Sequence, residues 1–426
     1  MDKQYYPALD ETLVSGKLSN GLTIMVVPKP GFTKKLAYFV ADYGAVHTNF
    51  TLEGVSYQVP AGIAHYLEHK IFDLPGRDVA GEFAALGAVV NAFTSYDMTA
   101  YYFSTTENFE ECLHLLLEFV STPYFTEESV AKERGIIDQE IGMNADDPGN
   151  QVFEQLTGAM FDHPIRHPIL GTCEDIRKIT PELLHTCHQA FYNPGNMMLC
   201  VVGDVDADAI AAMAEDVLGS APRSTGMKAD FPQEELTVRQ SLVRKQMDVA
   251  MPMFNLGFKC EALGKGEEAI AQEVIGDLAA EVLFGEASAL YLDMYGQGII
   301  DSSFGGGFET IDGCALLSCS GDSDYPEAVR DAIFAEAARI AAEGIDEGQF
   351  LRLKRSAMGR RIRDLDSFDS TCFRLCAYKM TDFDYFRFPE IYNRITPSQV
   401  QAFLARVIRP EGCSLSVIDT LKEETL

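Results

Sequence analysis

The sequence predicts an α+β protein of two related domains, each a mostly antiparallel sheet packed against helices. Apolar, β-branched segments bounded by turn residues occur among longer segments with helical periodicity. Segment 191–202, where a helix ends, Pro and Gly make a turn and an apolar strand follows, is echoed at 407–418. Residues 221–235 are rich in Pro, Ser, Gly and charge. We therefore interpret them as a linker between domains at 1–220 and 236–426.

The elements of the first domain follow from turn residues and periodicity. An Asn-Gly turn before an apolar run predicts a hairpin across 18–27. Strands are predicted over 36–43, 89–105 and 197–202, where Val, Phe, Thr and Tyr are frequent. Helical patterns predict helices over 60–72, 79–86, 107–120, 127–144, 151–160 and 181–191.

Composition excludes several classes of protein. A formal charge of −30 argues against nucleic acid as a partner, because a phosphate backbone is held mainly by Lys and Arg. No apolar run is long enough to span a membrane, and the first residues lack the pattern of a secretory signal. The ten cysteines have no framework spacing, so we expect reduced thiols and a cytoplasmic location.

A metal-binding pattern lies in the first domain, at His65-Tyr66-Leu67-Glu68-His69. At about 100° per residue, both imidazoles and the Glu68 carboxylate share one helix face. Two neutral imidazoles bind Zn²⁺ there, while Glu68 accepts a proton from the metal-bound water. The alternative is a helix face with two hydrogen-bonded histidines and a surface glutamate. Burying such a face without a metal is costly, so we favour the metal site.

A catalytic zinc needs a third protein ligand and an open position. Glu133 and Glu140 lie seven residues apart on one predicted helix and so share a face. One of them binds zinc, and the other holds a ligand histidine in place. Their spacing does not distinguish the two roles.

These segments resemble the pitrilysin/insulinase family of zinc peptidases, whose motif is the inverse of His-Glu-x-x-His. The resemblance rests on 65–69, 91–95 with 99–103, the Glu133 and Glu140 pair, His167 to Thr172, and 193–196 followed by 203–205. It implies that Glu140 is the third zinc ligand, Glu133 the carboxylate behind a ligand and Glu68 the catalytic base. It also implies that the two domains form half of a clamshell around a peptide.

The resemblance further implies how a substrate is held. A peptide adds as a strand to an exposed sheet edge beside the zinc, and Asn91, Ala92 and Phe93 match that edge. The alternative is an ordinary interior strand with Phe93 in the core.

One departure from the family concerns the groups that stabilise the oxyanion. Family members carry an Arg, with a Tyr seven residues later, where this chain has 290–304, which contains no Arg and has Asp301 near the expected Tyr. In small bacterial relatives of this length, a second, metal-less paralogous subunit supplies that pair. We therefore predict a zinc endopeptidase that acts as a heterodimer, a homodimer being the other option. The rival function is a scaffold or processing-associated subunit with little or no catalysis.

Three other features have structural interpretations. Six basic residues between Arg352 and Arg363 are predicted to pair with acids on a solvated helix face; the alternative is a docking face for an acidic partner. His185 and His188 are expected to have structural roles, and Gly305–Gly307 to form a strand bulge rather than a phosphate cradle.

Overall fold

The computed structural model describes residues 1–221 and 226–421, which form fifteen strands and fifteen α-helices. The strands are β1 Asp2–Tyr6, β2 Glu11–Lys17, β3 Thr23–Pro28, β4 Lys35–Ala41, β5 Asn49–Leu52, β6 Val55–Gln58, β7 Val89–Thr94, β8 Thr99–Thr105, β9 Met197–Gly203, β10 Lys228–Ala229, β11 Leu242–Met247, β12 Met253–Cys260, β13 Gly305–Ile311, β14 Cys314–Asp322 and β15 Cys413–Thr420.

The helices are α1 Ile63–Ile71, α2 Val79–Ala85, α3 Phe109–Val120, α4 Glu127–Asp146, α5 Pro148–Met160, α6 Cys173–Ile176, α7 Pro181–Phe191, α8 Ala207–Leu218, α9 Glu267–Phe284, α10 Ala289–Gly296, α11 Pro326–Glu343, α12 Glu347–Arg363, α13 Phe368–Met380, α14 Phe388–Arg394 and α15 Pro397–Val407. Within the described residues, none of these helices is long and apolar enough to cross a lipid bilayer.

The chain forms two compact units, and each is discontinuous in sequence. The first comprises Met1–Ile141, Pro168–Asp230 and Ile362–Arg387; the second comprises Gly142–His167, Phe231–Arg361 and Phe388–Leu426. Helix α13 packs on β9 and β4 in the first unit, whereas α5 packs on β12 and β15 in the second. A single boundary at 221–235 does not describe these units, because a segment from each half of the chain belongs to the other unit. One of the crossings between units, at Asp230–Phe231, does lie inside that range.

Part of the predicted linker, residues 222–225, lies outside the described residues. The remainder of the predicted linker makes contacts with the first unit up to Asp230 and with the second unit after it. Strand β10 pairs with β5, so a piece of the predicted linker forms the edge of a three-stranded sheet with the order β10-β5-β6. Further on, Glu234 forms a buried ion pair with Lys259.

The main sheets of the two units have the same topology over five strands. The first unit has the order β1-β2-β3-β9-β4-β8-β7, and the second has β11-β15-β12-β14-β13. In each, a strand after a Pro-Gly turn pairs parallel on one side and antiparallel on the other: β9 between β3 and β4, and β15 between β11 and β12. The predicted relation between the halves is therefore confirmed, as is the α+β class with mostly antiparallel sheets.

Local chemistry explains why the predicted elements form. At the first hairpin, Gly21 has φ 101°, a left-handed conformation that favours glycine, and Asn20 Oδ1 accepts a hydrogen bond from Leu22 N at 3.1 Å. Strand β4 is buried from Leu36 to Ala41, which matches its continuous apolar run. All ten cysteines are free, as predicted.

The prediction of one strand over 89–105 is wrong in one respect. The segment forms two antiparallel strands, β7 and β8, joined by a tight turn at 95–98. Ser95 closes this turn, because its N–H donates to the Met98 carbonyl at 2.8 Å and its hydroxyl oxygen accepts from Met98 N at 3.1 Å.

Candidate metal centre

Helix α1 carries the histidine pattern, and two glycines fix where it begins. Gly62 has φ 84° and Gly171 has φ 68°. A Cβ on Gly62 would overlap the carbonyl of Leu170, and one on Gly171 would overlap the carbonyl of Ala61. The two backbones therefore touch at this point, and only glycine permits both the approach and the conformation.

Helix α4 is tied to α1 by a side chain of the motif itself. Tyr66 is fully buried, and its hydroxyl donates to the Val130 carbonyl. Val130 and Ile137, one helical face of α4, are buried in the core of the unit. The carboxylates of α4 are thereby held at a fixed distance from α1.

Three predicted ligands converge in the space between these helices. His65 Nε2 lies 3.6 Å from Glu140 Oε1, and His69 Nε2 lies 3.5 Å from Glu140 Oε2. One ligand atom of each residue lies within 4.8 Å of the other two. Both imidazoles thus direct the same ring nitrogen toward one carboxylate.

The remaining two carboxylates of the pattern take different positions. Glu133 Oε1 lies 2.9 Å from His69 Nδ1, on the side of the ring away from Glu140. Glu68 is buried, and its Oε2 accepts a hydrogen bond from the Thr94 hydroxyl at 2.8 Å. The surface position of this glutamate in the alternative interpretation is therefore wrong, because Glu68 is only 8% exposed.

Burial and neighbouring charges shift three pKa values at this site. Burial raises the pKa of Glu68, although His65 and the hydrogen bond from Thr94 oppose this. The contact with His65 lowers the pKa of Glu140. Burial favours neutral His69, but Glu133 and the other carboxylates outweigh it and raise the pKa of this histidine. The centre is thus a compact cluster of carboxylates around two imidazoles.

The donor set fits a zinc ion. The 3.5 and 3.6 Å separations exceed the usual N–H···O hydrogen-bond range. Two ligands each about 2.1 Å from a tetrahedral ion are about 3.4 Å apart, close to both observed values. Two imidazoles and one carboxylate are a ligand set typical of catalytic zinc.

Comparison with known proteins supports a family assignment. The family model described as Insulinase (Peptidase family M16) matches residues 57–173, and the model described as Peptidase M16 inactive domain matches residues 178–357. An uncharacterized zinc protease of Bacillus subtilis is 36% identical over 404 residues, which are 93% of this chain and 94% of that protein. The chain belongs to the M16 family.

Another relative and two solved structures are also similar to this chain. An uncharacterized zinc protease of Rickettsia felis is 30% identical over 59% of this chain and 60% of its own. The crystal structure of an M16-like peptidase from Alicyclobacillus acidocaldarius superposes with a TM-score of 0.93 at 32% identity, covering 97% of this chain and 99% of that one. A protease from Helicobacter pylori shares the fold, with a TM-score of 0.81 at 19% identity over 96% and 99% of the two chains.

The predicted substrate strand lies at an edge of the M16 sheet. Strand β7, with Asn91, Ala92 and Phe93, is the last strand of the seven and pairs only with β8 in the described part of the chain. It is not an interior strand, so that alternative is wrong. Phe93 is half-buried and contacts Phe373 of α13, with ring centroids 6.0 Å apart. That these residues bind substrate stays a prediction.

The segment expected to hold an Arg and a Tyr has an ordinary local structure. Residues 289–296 form α10, and Ser288 caps its N-terminus, where the Ser288 hydroxyl accepts a hydrogen bond from Tyr291 N at 3.0 Å. Asp301 follows in a turn closed by Ser303. The segment lies within the part of the chain that matches the M16 inactive domain.

The other singled-out features have structural roles. Arg361 and Arg360 of α12 pair with acids of α9, as predicted, but Arg361 is buried and does not lie on a solvated face. His188 is buried and stacked on Tyr192, with ring centroids 5.0 Å apart. Gly305–Gly307 form the start of β13 and not a phosphate-binding turn, and they pair one-to-one with Ser318–Ser320 of β14, so the predicted strand bulge is wrong.

Sequence reasoning missed three groups that build the site. Gly62, directly before the predicted helix, is a recognisable signal, since glycine is common where φ is positive. The sequence offers no signal that Gly171 lies against it, because that contact is long-range. Thr94 lies within the resembling segment 91–95, but its hydrogen bond to Glu68 can be found only once the fold is known.

Proposed function

We propose that this M16 protein is a zinc-dependent endopeptidase. His65, His69 and Glu140 would hold the metal, Glu133 would orient His69, and Glu68 would serve as general base. The observation that carries the proposal is the convergence of two imidazole nitrogens on one carboxylate, with a buried glutamate one turn along α1. The relatives from Bacillus subtilis and Rickettsia felis are named zinc proteases, and these names support the same chemistry.

Zinc, when bound, supplies Lewis-acid chemistry, polarising the scissile carbonyl and acidifying a water molecule. The chain's own groups perform the proton transfers. Glu68 accepts the proton of the attacking water and passes it to the leaving amine. Because His69 donates from Nδ1 to Glu133, its Nε2 is left free to act as a ligand.

The proposed substrate is an extended peptide. The open edge of β7 offers main-chain donors and acceptors to an added strand, and this contact makes little demand on substrate sequence. A segment bound at that edge would run beside Thr94, whose hydroxyl touches Glu68. The scissile bond would therefore lie close to the base.

We also propose that the active unit contains a second, metal-less paralogous subunit. The proposal rests on residues 290–304, which contain no Arg to stabilise the oxyanion. Removing one oxyanion donor typically costs a factor of about 10² to 10³ in kcat, so the chain alone should be slow. A homodimer would lack the same Arg in that segment.

The test combines metal analysis with peptide cleavage. We expect one zinc per chain, cleavage of unstructured peptides that rises strongly when the paralogous subunit is added, and loss of cleavage in Glu68→Gln with zinc retained. Glu82→Gln is the matched control, since this half-buried carboxylate pairs with Arg77 away from the cluster. A zinc-free chain, or a zinc-loaded mixture that never cuts a peptide, would instead favour the scaffold function.

A further inference from the structure

We infer that Thr94 is a positioning residue that couples the peptide-binding edge to the general base, so that catalysis requires substrate in extended form. This inference rests on the proposed function. Its basis is the hydrogen bond from Thr94 Oγ1 to Glu68 Oε2 at 2.8 Å, made by the last residue of the edge strand.

The alternation of β7 directs Thr94 toward α1. Val90 and Ala92 pack against the core cluster on the α1 side of the sheet, and Thr94 follows at the same two-residue period. Phe93 points to the opposite face, where it contacts Phe373 of α13. A shift of β7 by one residue would remove the hydroxyl from Glu68 altogether.

The end of the strand is fixed on both sides. Ser95 closes the turn to Met98, and the Ser95 carbonyl accepts from Ala45 N at 3.0 Å. A Cβ on Gly44 would overlap the backbone of Tyr96, so the turn packs directly against that segment. Thr94 is therefore held by backbone contacts that do not depend on Glu68.

These contacts make Thr94 a reference point for the base. The carboxylate of Glu68 has rotational freedom of its own, and the Thr94 hydroxyl selects one orientation of it. A peptide aligned on the open edge of β7 would use the same strand as its frame. Substrate and base are then positioned by one element, and loss of the hydroxyl should lower kcat while KM changes little.

The test compares three variants in the presence of the paralogous subunit. Thr94→Val removes the hydroxyl at almost constant shape, and Thr94→Ser keeps it. Thr12→Val is the control, because Thr12 lies in β2 near the opposite edge of the same sheet. With quenched-fluorescence peptides we expect kcat to fall about tenfold or more in Thr94→Val, with KM within about twofold, normal zinc content and recovery in Thr94→Ser.

A second readout does not require cleavage. Visible absorption of the Co²⁺-loaded chain responds to the ligands and to solvent held near Glu68. The Glu68→Gln variant gives the spectrum of a chain that lacks the base. The spectrum of Thr94→Val should shift toward that of Glu68→Gln at unchanged Co²⁺ stoichiometry, whereas the spectrum of Thr94→Ser should match that of the wild type. If Thr94→Val keeps the wild-type spectrum while Glu68→Gln changes it, the inference is overturned. If the wild-type mixture cuts no peptide, the proposed function fails and the spectra still decide the role of Thr94.

Discussion

The carboxylate of Glu133 should strengthen metal binding without touching the metal. It accepts from His69 Nδ1 at 2.9 Å, which fixes the ring and makes Nε2 more basic. Glu133→Gln keeps an oxygen acceptor and removes the charge. Glu133→Leu removes both, so the two variants separate orientation from electrostatics.

The expected losses follow from the geometry. Removing a carboxylate behind a ligand histidine typically costs 10- to 100-fold in metal affinity, or about 1.4 to 2.7 kcal/mol. Because Glu133→Gln still orients the ring, we expect a loss near about tenfold, and near about 100-fold for Glu133→Leu. Glu140 remains in both, so binding should weaken rather than disappear.

The measurement is competition for zinc against a chelator of known affinity at neutral pH. Glu128→Gln is the control, since it removes an equal charge from an exposed position of the same helix. Equal affinities for all four proteins would show that the contact between Glu133 and His69 has no part in holding metal. A loss in the Glu128 variant as large as in Glu133→Gln would show that only the net charge matters.

Three further predictions concern stability. Gly62→Ala should cost about 2 to 5 kcal/mol by chemical denaturation, because it adds a left-handed penalty to an overlap, and it should also weaken zinc binding. Burial lowers the pKa of His188 to about 4, so between pH 7 and pH 5 this imidazole takes up a proton mainly in the unfolded state. The unfolding free energy of the wild type should therefore fall by about 2 kcal/mol relative to that of His188→Gln over this range. Equal pH profiles of stability for the two proteins would refute this. Glu234→Gln leaves the buried Lys259 without its counter-charge and should cost about 3 kcal/mol of unfolding free energy, in contrast to an exposed-pair variant such as Glu343→Gln.

The helices of the site could be predicted because their signals are local. Apolar periodicity defines α1 and α4, and the predicted ends agree with the structure to within about two residues for 127–144. The turn at 95–98 was missed because Ser95 closes it through hydrogen bonds that composition does not reveal. The exchange of α5 and α13 between units is likewise a matter of long-range packing.

The choice between Glu133 and Glu140 shows where spacing stops being informative. Both lie on one face of α4, as predicted, but seven residues of helix span about 10 Å, so only one carboxylate can face both Nε2 atoms. The structure places Glu140 there and Glu133 behind His69. The spacing predicts which face of α4 carries the two carboxylates. Which carboxylate lies opposite the imidazoles depends on the position of α4 along α1, which the hydrogen bond of Tyr66 helps to set.

In the second unit, the helix pair at the equivalent place in chain order is joined by ion pairs. In chain order, α9 follows β12 and precedes β13, as α1 follows β4 and precedes β7. Likewise α12 follows α11 in the second unit as α4 follows α3 in the first. There, Arg361 of α12 donates to Asp277 at 2.6 Å and to Glu273 at 3.3 Å, both on α9. Opposite charges meet directly, at ordinary hydrogen-bond distances or close to them.

The first unit differs from the second in the groups that meet between its two helices. Its two helices present His65 and His69 to Glu140 at 3.5 to 3.6 Å, which is too long for a good hydrogen bond and close to the spacing of ligands around one ion. The second unit thus joins its two helices by ion pairs, whereas the first unit brings imidazoles and a carboxylate together. A cation held between them, as proposed above, would account for this spacing, and the proposed hydrolysis depends on the distances between these three side chains.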